Sequence, residues 1–319
     1  MGRAHEDYAH RAETSQEYME RSERDPTAQT SKQFNVPRLM KDLFNEEGFE
    51  PIAETKEKND VPLVSVIMYA YNVEFFISEA IHSVLNQDIQ LIELIIINDV
   101  STDETEKKIQ KFTDDRIVIL SDGVKRGPSG SKNRAINHIR GRYIAFIDGA
   151  DVWLPGKLRE QIRYMKSEDC LLSFCDYSLI TEAGELFSNA IEAPLRLSYD
   201  LLLYYGNQIC ESTVMIDYAK AAYFRIPNAK DCSDYAAWLQ LLYESDISAV
   251  RIPHLYTYER TIQPNRKHKR NYKISHIWHV WRVLEKQPLL RSLGHFLRWN
   301  RTLAREHKSV SNYPPIDTK

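Results

Sequence analysis

The sequence of 319 residues contains no run of about 18 apolar residues, so by the usual length rule it offers no membrane-spanning helix. Its start, MGRAHEDYAHRAE, lacks the apolar stretch of a secretory signal, and export by that route is not expected. The four cysteines (Cys170, Cys175, Cys210, Cys232) form no CxxC pair and no zinc-like spacing. They read as buried free thiols of a cytoplasmic chain rather than as a disulfide framework or a metal site. There is also little net charge. The formal value of -3 hides an uneven distribution, because Arg266–Lys308 holds twelve Lys and Arg against two Glu. A basic end on an acidic body suits a phosphate-rich or anionic-membrane partner. That basic end matches no recognised nucleic-acid-binding motif, and no nucleic-acid partner is expected.

What is present divides into three. Residues 1–60 are polar and are expected to form a poorly ordered arm. Residues 61–262 alternate apolar runs with helical patterns. Val64–Met68, Leu91–Ile97, Arg116–Leu120, Tyr143–Ile147 and Leu171–Cys175 read as buried strands. Between them, Glu74–Asn86, Thr105–Phe112, Pro128–Ile139 and Pro155–Lys166 have helical spacing. Strands separated by such helices give a mostly parallel, Rossmann-like sheet covered by helices. Further on, a strand is expected at Thr213–Ile216, a helix at Tyr235–Tyr243 and a strand at Tyr256–Arg260. Residues 263–319 are a basic tail. Within it, Lys273–Leu303 carries Ile274, Trp278, Trp281, Leu284, Leu289 and Leu293 at helical spacing, interrupted by Pro288. This C-terminal helical extension suits peripheral contact with the inner face of an anionic membrane. It equally suits packing on its own domain, or on a second copy in a homodimer.

Ligands of parallel sheets bind beyond the carboxyl ends of the strands. Here those ends are Tyr69-Ala70-Tyr71-Asn72, Asn98-Asp99-Val100-Ser101 and Asp148-Gly149-Ala150-Asp151. Asp and Asn at such places commonly cap helices or form turns. Three loops carrying carboxylates and an aromatic ring on one rim also suit a base, a ribose and a metal-bound phosphate. The first loop has no glycine, which argues against the nucleotidyltransferases that make sugar nucleotides.

Six segments in order, VSVIMYAYN, SEAIHSVLNQ, LIELIIINDVSTDET, GPSGSKNRAI, GRYIAFIDGADVWLPGKL and SDYAAWLQLL, resemble the inverting family 2 glycosyltransferases of glycosyltransferase-A fold. The resemblance fades after about residue 262. It implies an enzyme that moves a sugar from a nucleotide-sugar, normally a UDP-sugar, to a glycan or lipid-linked acceptor in cell-surface polysaccharide synthesis. Residues 61–177 would be the nucleotide-sugar half and 178–262 the acceptor half. Tyr71 stands where the family stacks a ring on the base, with Asn72 beside it among the nucleotide-binding residues. Asp99 stands where a carboxylate accepts from the base, and Arg134 near the phosphates. Asp148-Gly149-Ala150 lies on the Asp-x-Asp motif that holds Mg²⁺ or Mn²⁺ on the diphosphate, so Asp148 and Asp151 are the candidate ligands. Asp234 stands where the general base deprotonates the acceptor hydroxyl, at a helix start that favours negative charge. Asn207 and Glu211 would face the acceptor, and Arg266 and His268 the phosphates.

The sequence departs from the pattern at four places. Ala150 replaces an Asp and has no oxygen for a metal. Ser233 replaces a Glu before the base. Asn98 and Val100 replace Asp and Gly around Asp99, and Tyr69 replaces a common Pro. Ala150 leaves two readings open: an active enzyme with displaced or weak metal use, or an impaired, non-catalytic nucleotide-sugar binder of the same fold.

Overall fold

The computed structural model describes residues 61–221, 224–229, 232–245, 248–261 and Val280. The arm at 1–60 and almost all of the tail, including its expected helices, lie outside these residues. Among the described residues nine strands form one sheet: β1 (Val64–Ala70), β2 (Ile92–Asn98), β3 (Ile117–Leu120), β4 (Tyr143–Asp148), β5 (Val152–Trp153), β6 (Leu172–Ile180), β7 (Arg196–Leu197), β8 (Met215–Asp217) and β9 (Ala249–Arg260). Six helices accompany them: α1 (Ile77–Leu85), α2 (Thr105–Ile109), α3 (Gly127–Ile136), α4 (Lys157–Ser167), α5 (Tyr199–Tyr205) and α6 (Ser233–Ser245). The strand order is β3-β2-β1-β4-β8-β6-β9-β5, with β7 also on β9.

The α/β class expected from the sequence is the class observed. Strands β3, β2, β1 and β4 pair in parallel. Antiparallel pairing enters at β8, which lies between β4 and β6. The dividing line expected after residue 177 falls inside β6, so the sheet runs unbroken across it.

Side chains alternate across the strands and build an apolar layer on each face. Val64, Val66 and Met68 of β1 pack with Ile77, Ile81 and Val84 of α1 and with Leu158, Ile162 and Met165 of α4. Ile67, with Ile95, Ile97, Ile144 and Phe146, faces the opposite layer. There it meets Ala135 and Ile136 of α3, Trp238 and Leu242 of α6, and Val280 from the tail. No helix among the described residues is long and apolar enough to cross a membrane. All four cysteines are free thiols.

Two expected boundaries shift for visible reasons. The strand expected at Thr213–Ile216 is a 3-10 turn (Glu211–Thr213) followed by β8. The turn persists because its carbonyls serve other elements. Trp153 Nε1 donates to Ser212 O (2.7 Å) and Gln161 Nε2 to Thr213 O (2.9 Å). Helix α4 begins at Lys157 rather than Pro155, because Gly156 adopts a left-handed φ of 83° just before it.

Lys157 is wholly buried. Its ammonium donates to Gln161 Oε1 (2.5 Å) and lies 3.9 Å from the Trp153 ring centroid. Burial pushes its pKa down from 10.5 to about 8. Below that value both the folded and unfolded chains carry the charge, and the burial penalty is complete. Between about 8 and 10.5 only the unfolded chain keeps the proton, so Lys157 makes stability rise with pH. Urea denaturation midpoints measured across this range should climb more steeply for the wild type than for Lys157→Met. Parallel profiles would remove the assignment.

Candidate functional site

Parallel register sets the three strand ends side by side. Tyr69 is opposite Asp148, and Ala70 is opposite Asn98. Two hydrogen bonds close the seams: Asp99 N donates to Ala70 O (3.0 Å), and Gly149 N to Tyr69 O (2.8 Å). The strand order reverses between β1 and β4, which is where ligands of such sheets bind.

Asparagines lock the first two loops together. Asn72 has a left-handed φ of 51°. Its Oδ1 accepts from Thr102 N (2.8 Å) and Thr102 Oγ1 (3.3 Å), and its own N–H donates to Ser101 Oγ (3.1 Å). Asn98 Oδ1 in turn accepts from Ser101 N and Oγ. The side-chain oxygen of Asn72, expected at the nucleotide, is thus committed to the neighbouring loop. Val100 between these anchors sits at φ 61°, a costly conformation for a β-branched residue.

Asp99 is almost wholly buried and accepts four hydrogen bonds. Oδ1 takes Arg126 N (2.8 Å) and Ser131 Oγ (2.9 Å); Oδ2 takes Gly127 N (3.0 Å) and Tyr69 Oη (3.1 Å). A carboxylate has about four acceptor sites, and all are served. Asp99 therefore pins the start of α3 against β1 and β2, and a base could reach it only by sharing or displacing one of these donors. Burial, followed by the charge of Asp99, raises the Tyr69 pKa far above the ordinary phenol value and keeps its hydroxyl a donor.

Around this anchor lie four cations. Lys125 Nζ is 3.8 Å from the ring centroid of half-buried Tyr71. Lys132, nearly buried, pairs with Glu211, and its Nζ is 5.6 Å from the Tyr69 ring centroid. Arg134 instead reaches Asp122 Oδ2 (3.4 Å). Arg126 grips the same carboxylate with two 2.7 Å hydrogen bonds, which draw the Asp122 pKa down to about 2. The cation brought against Tyr69 and Glu211 is Lys132, whereas Arg134, expected near the phosphates, lies against Asp122.

The loop after β4 rests on Ser212 and Arg260. Ser212 Oγ accepts from Asp148 N (3.1 Å) and donates to Asp151 Oδ2 (2.6 Å). Asp151 Oδ1 accepts from Arg260 N (2.9 Å). The Arg260 guanidinium donates to Ala150 O, Thr181 O, Glu182 O and Glu79. Burial lowers the Arg260 pKa and raises that of Glu79. Asp151, expected as a metal ligand, is a buried strut with both oxygens engaged. With alanine at 150 and both Asp151 oxygens engaged, this loop offers a divalent cation a single carboxylate, Asp148, and such a cation would have to take its other oxygen ligands from phosphate and water. Ala150 offers no side-chain oxygen, and its methyl is buried in the apolar layer. Among the described residues no group of three His, Cys, Asp or Glu is placed to hold a metal ion. Asp148 is the half-buried carboxylate left at this rim, where its Oδ1 accepts from Ala150 N (3.1 Å).

Asp234 lies in the first turn of α6 and accepts from Asn207 Nδ2 (2.9 Å). The orientation of that amide is set by Ile209 N, which donates to Asn207 Oδ1 (3.2 Å). The structure therefore joins two expected site residues that are 27 positions apart. Arg266 and His268 lie outside the described residues.

The model of the glycosyl transferase family 2 matches residues 65–293. The chain belongs to that family. TuaG of Bacillus subtilis (strain 168), a protein named for teichuronic acid biosynthesis, is 32% identical over 75% of this chain and 94% of its own. WfaP of Escherichia coli, named as a UDP-Glc:alpha-D-GlcNAc-diphosphoundecaprenol beta-1,3-glucosyltransferase, is 36% identical over 56% of this chain and 70% of its own. Among solved structures, S. aureus TarS 1-349 in complex with UDP-GlcNAc superposes with a TM-score of 0.57. That pair is 16% identical and covers 77% of this chain and 72% of TarS, a likeness of fold. This family 2 chain is a glycosyltransferase enzyme of glycosyltransferase-A type.

Lys132 and Arg260 escaped the reading of the sequence as site residues, and Ser212, expected near the acceptor, instead holds the loop after β4. Lys132 was accessible from helical phase: it precedes buried Ile136 by four positions and so shares the inner face of α3. Arg134 is two positions further on, on the other side. Arg260 gave no local signal, since its partners come from distant segments.

Tyr69→Phe deletes one donor to the buried Asp99 and adds no bulk. Unfolding free energy should fall by about 1–2 kcal/mol, as expected for a hydrogen bond to a charged group. An unchanged denaturation midpoint would mean that the Tyr69 hydroxyl does not hold Asp99.

Proposed function

We propose that this enzyme transfers a sugar from a UDP-sugar to a lipid-linked diphosphate acceptor, with inversion, in cell-surface polysaccharide synthesis. The printed activity of WfaP supports the donor and acceptor classes. Residues 61–177 serve the donor and 178–262 the acceptor. The Tyr71 ring receives the base, with Lys125 beside it as a movable cation. Asp148 faces the sugar-diphosphate at the switch point of the sheet. Lipid-linked acceptors lie at a membrane face, and the basic tail suits peripheral attachment there.

The observation that carries the mechanism is the Asn207–Asp234 pair. Asn207, itself oriented by Ile209, fixes the carboxylate of Asp234 at the start of α6. Asp234 takes the proton of the acceptor hydroxyl as that oxygen attacks the anomeric carbon. The carbon–oxygen bond to the nucleoside diphosphate breaks on the opposite side, which inverts the configuration. A sugar hydroxyl is a poor nucleophile at neutral pH, so removing the base costs about 10²–10⁴ in rate.

Asp234→Asn keeps the size and can still meet Asn207. Turnover of UDP-glucose with a polyprenyl-diphosphate sugar acceptor should drop by about that factor, 10²–10⁴. UDP binding, followed by calorimetry, should stay at the wild-type level. Near-normal turnover in the variant overturns the role of Asp234. UDP binding by the wild type without any transfer favours a nucleotide-sugar binder instead.

A further inference from the structure

We infer that the Lys132 ammonium, and not a divalent cation, balances the charge on the departing nucleoside diphosphate in this chain. The inference rests on the donor reading above. Its first ground is the loop that should hold the cation. At 150 stands a buried methyl, and both Asp151 oxygens are bound by Ser212 and Arg260. Charge gives the same answer. A second carboxylate in this loop repels a diphosphate unless a metal bridges them, and Ala150 removes that repulsion. Asp151 lies against the cationic Arg260, leaving Asp148 as the acidic group at the rim.

The second ground is the position of Lys132. Its partner Glu211 is the neighbour of Ser212, which hydrogen-bonds Asp148 N and the Asp151 carboxylate. Its ring neighbour Tyr69 is in register with Asp148 and accepts Gly149 N. The ammonium is thus linked to the Asp148–Asp151 loop through Glu211 and the adjoining Ser212, and again through Tyr69. It has three protons; Glu211 takes one and the others are available to phosphate oxygens. Lysine binds phosphate as a point charge, and a largely dehydrated site strengthens that attraction. Glu211, in the turn Glu211–Thr213, holds the ammonium on the inner face of α3 before the donor arrives.

Calorimetry of purified protein with UDP, GDP and ADP, each against its nucleoside, tests this with and without Mn²⁺. In EDTA the favoured diphosphate should bind the wild type within about twofold of its affinity in Mn²⁺. Lys132→Met should lose about tenfold or more of the gain of diphosphate over nucleoside, and leave nucleoside binding unchanged. Lys132→Arg should keep most of that gain. Should Lys132→Met fail to fold, Lys132→Met with Glu211→Gln removes both charges together, and the same loss is expected. Ala150→Asp should weaken diphosphate binding in EDTA and recover it in Mn²⁺. A wild type that needs Mn²⁺ to bind its diphosphate overturns the inference, as does a Lys132→Met protein with the full diphosphate gain. Both of those outcomes leave the donor reading standing. If no nucleoside diphosphate binds the wild type under either condition, the donor reading falls and the inference with it.

Discussion

The buried carboxylate of Asp151 is the constraint on which the rest of the site depends. It accepts from Ser212, in the turn before β8, and from the backbone of Arg260, at the end of β9. These elements come from the later part of the chain, whereas Asp151 follows β4 in the parallel half. Removing one partner of such a buried charge is costly, so the two parts of the sheet are held at a fixed spacing. The Arg260 guanidinium extends the tie to Ala150 O and, through Glu79, to α1. The loop carrying Asp148 is consequently rigid from below. A residue placed this way cannot also serve a cation, and that conflict shapes the chemistry above it.

Asp99 does the same work one strand away. Its four donors come from β1, from the backbone entering α3 and from Ser131. In sequence it looks like a ligand group, and in three dimensions it positions the segment that carries Lys125 and Lys132. Acidic residues at strand ends therefore divide by burial. Asp99 and Asp151 are interior and organise the loops. Asp148 and Asp234 are half-buried at the surface of the rim and of α6.

This division explains what the sequence could tell. Strand and helix existence was legible, because β1, β2 and β4 are apolar runs and α1 and α4 have helical periodicity. The rim was legible too, since parallel strands put their carboxyl ends together. The roles within the rim were not. Whether Asp151 points to solvent or to Arg260 depends on a contact 109 residues away, which no local pattern encodes. The antiparallel entry of β8 was hidden for a similar reason, because the turn Glu211–Thr213 is held by Trp153 and Gln161. Asp234 and Asn207 were both singled out separately, and only the fold shows that one orients the other.

Apart from Ser233, the departures from the family pattern lie along one line of contacts. Tyr69, where proline is common, supplies the fourth donor to Asp99 and a ring against Lys132. Its carbonyl holds Gly149, next to Ala150. Val100, where glycine is common, keeps the left-handed turn beside Asp99 in spite of its branched side chain. Strain of about 1–2 kcal/mol at such a residue persists only where its surroundings enforce it, and here Asn98, Ser101 and Asn72 do so. Tyr69 meets Lys132 with its ring and holds Gly149, next to Ala150, with its carbonyl, so the lost carboxylate and the added aromatic ring read as parts of one rearrangement. In that rearrangement the charge that opposes a diphosphate moves from the loop after β4 to the inner face of α3.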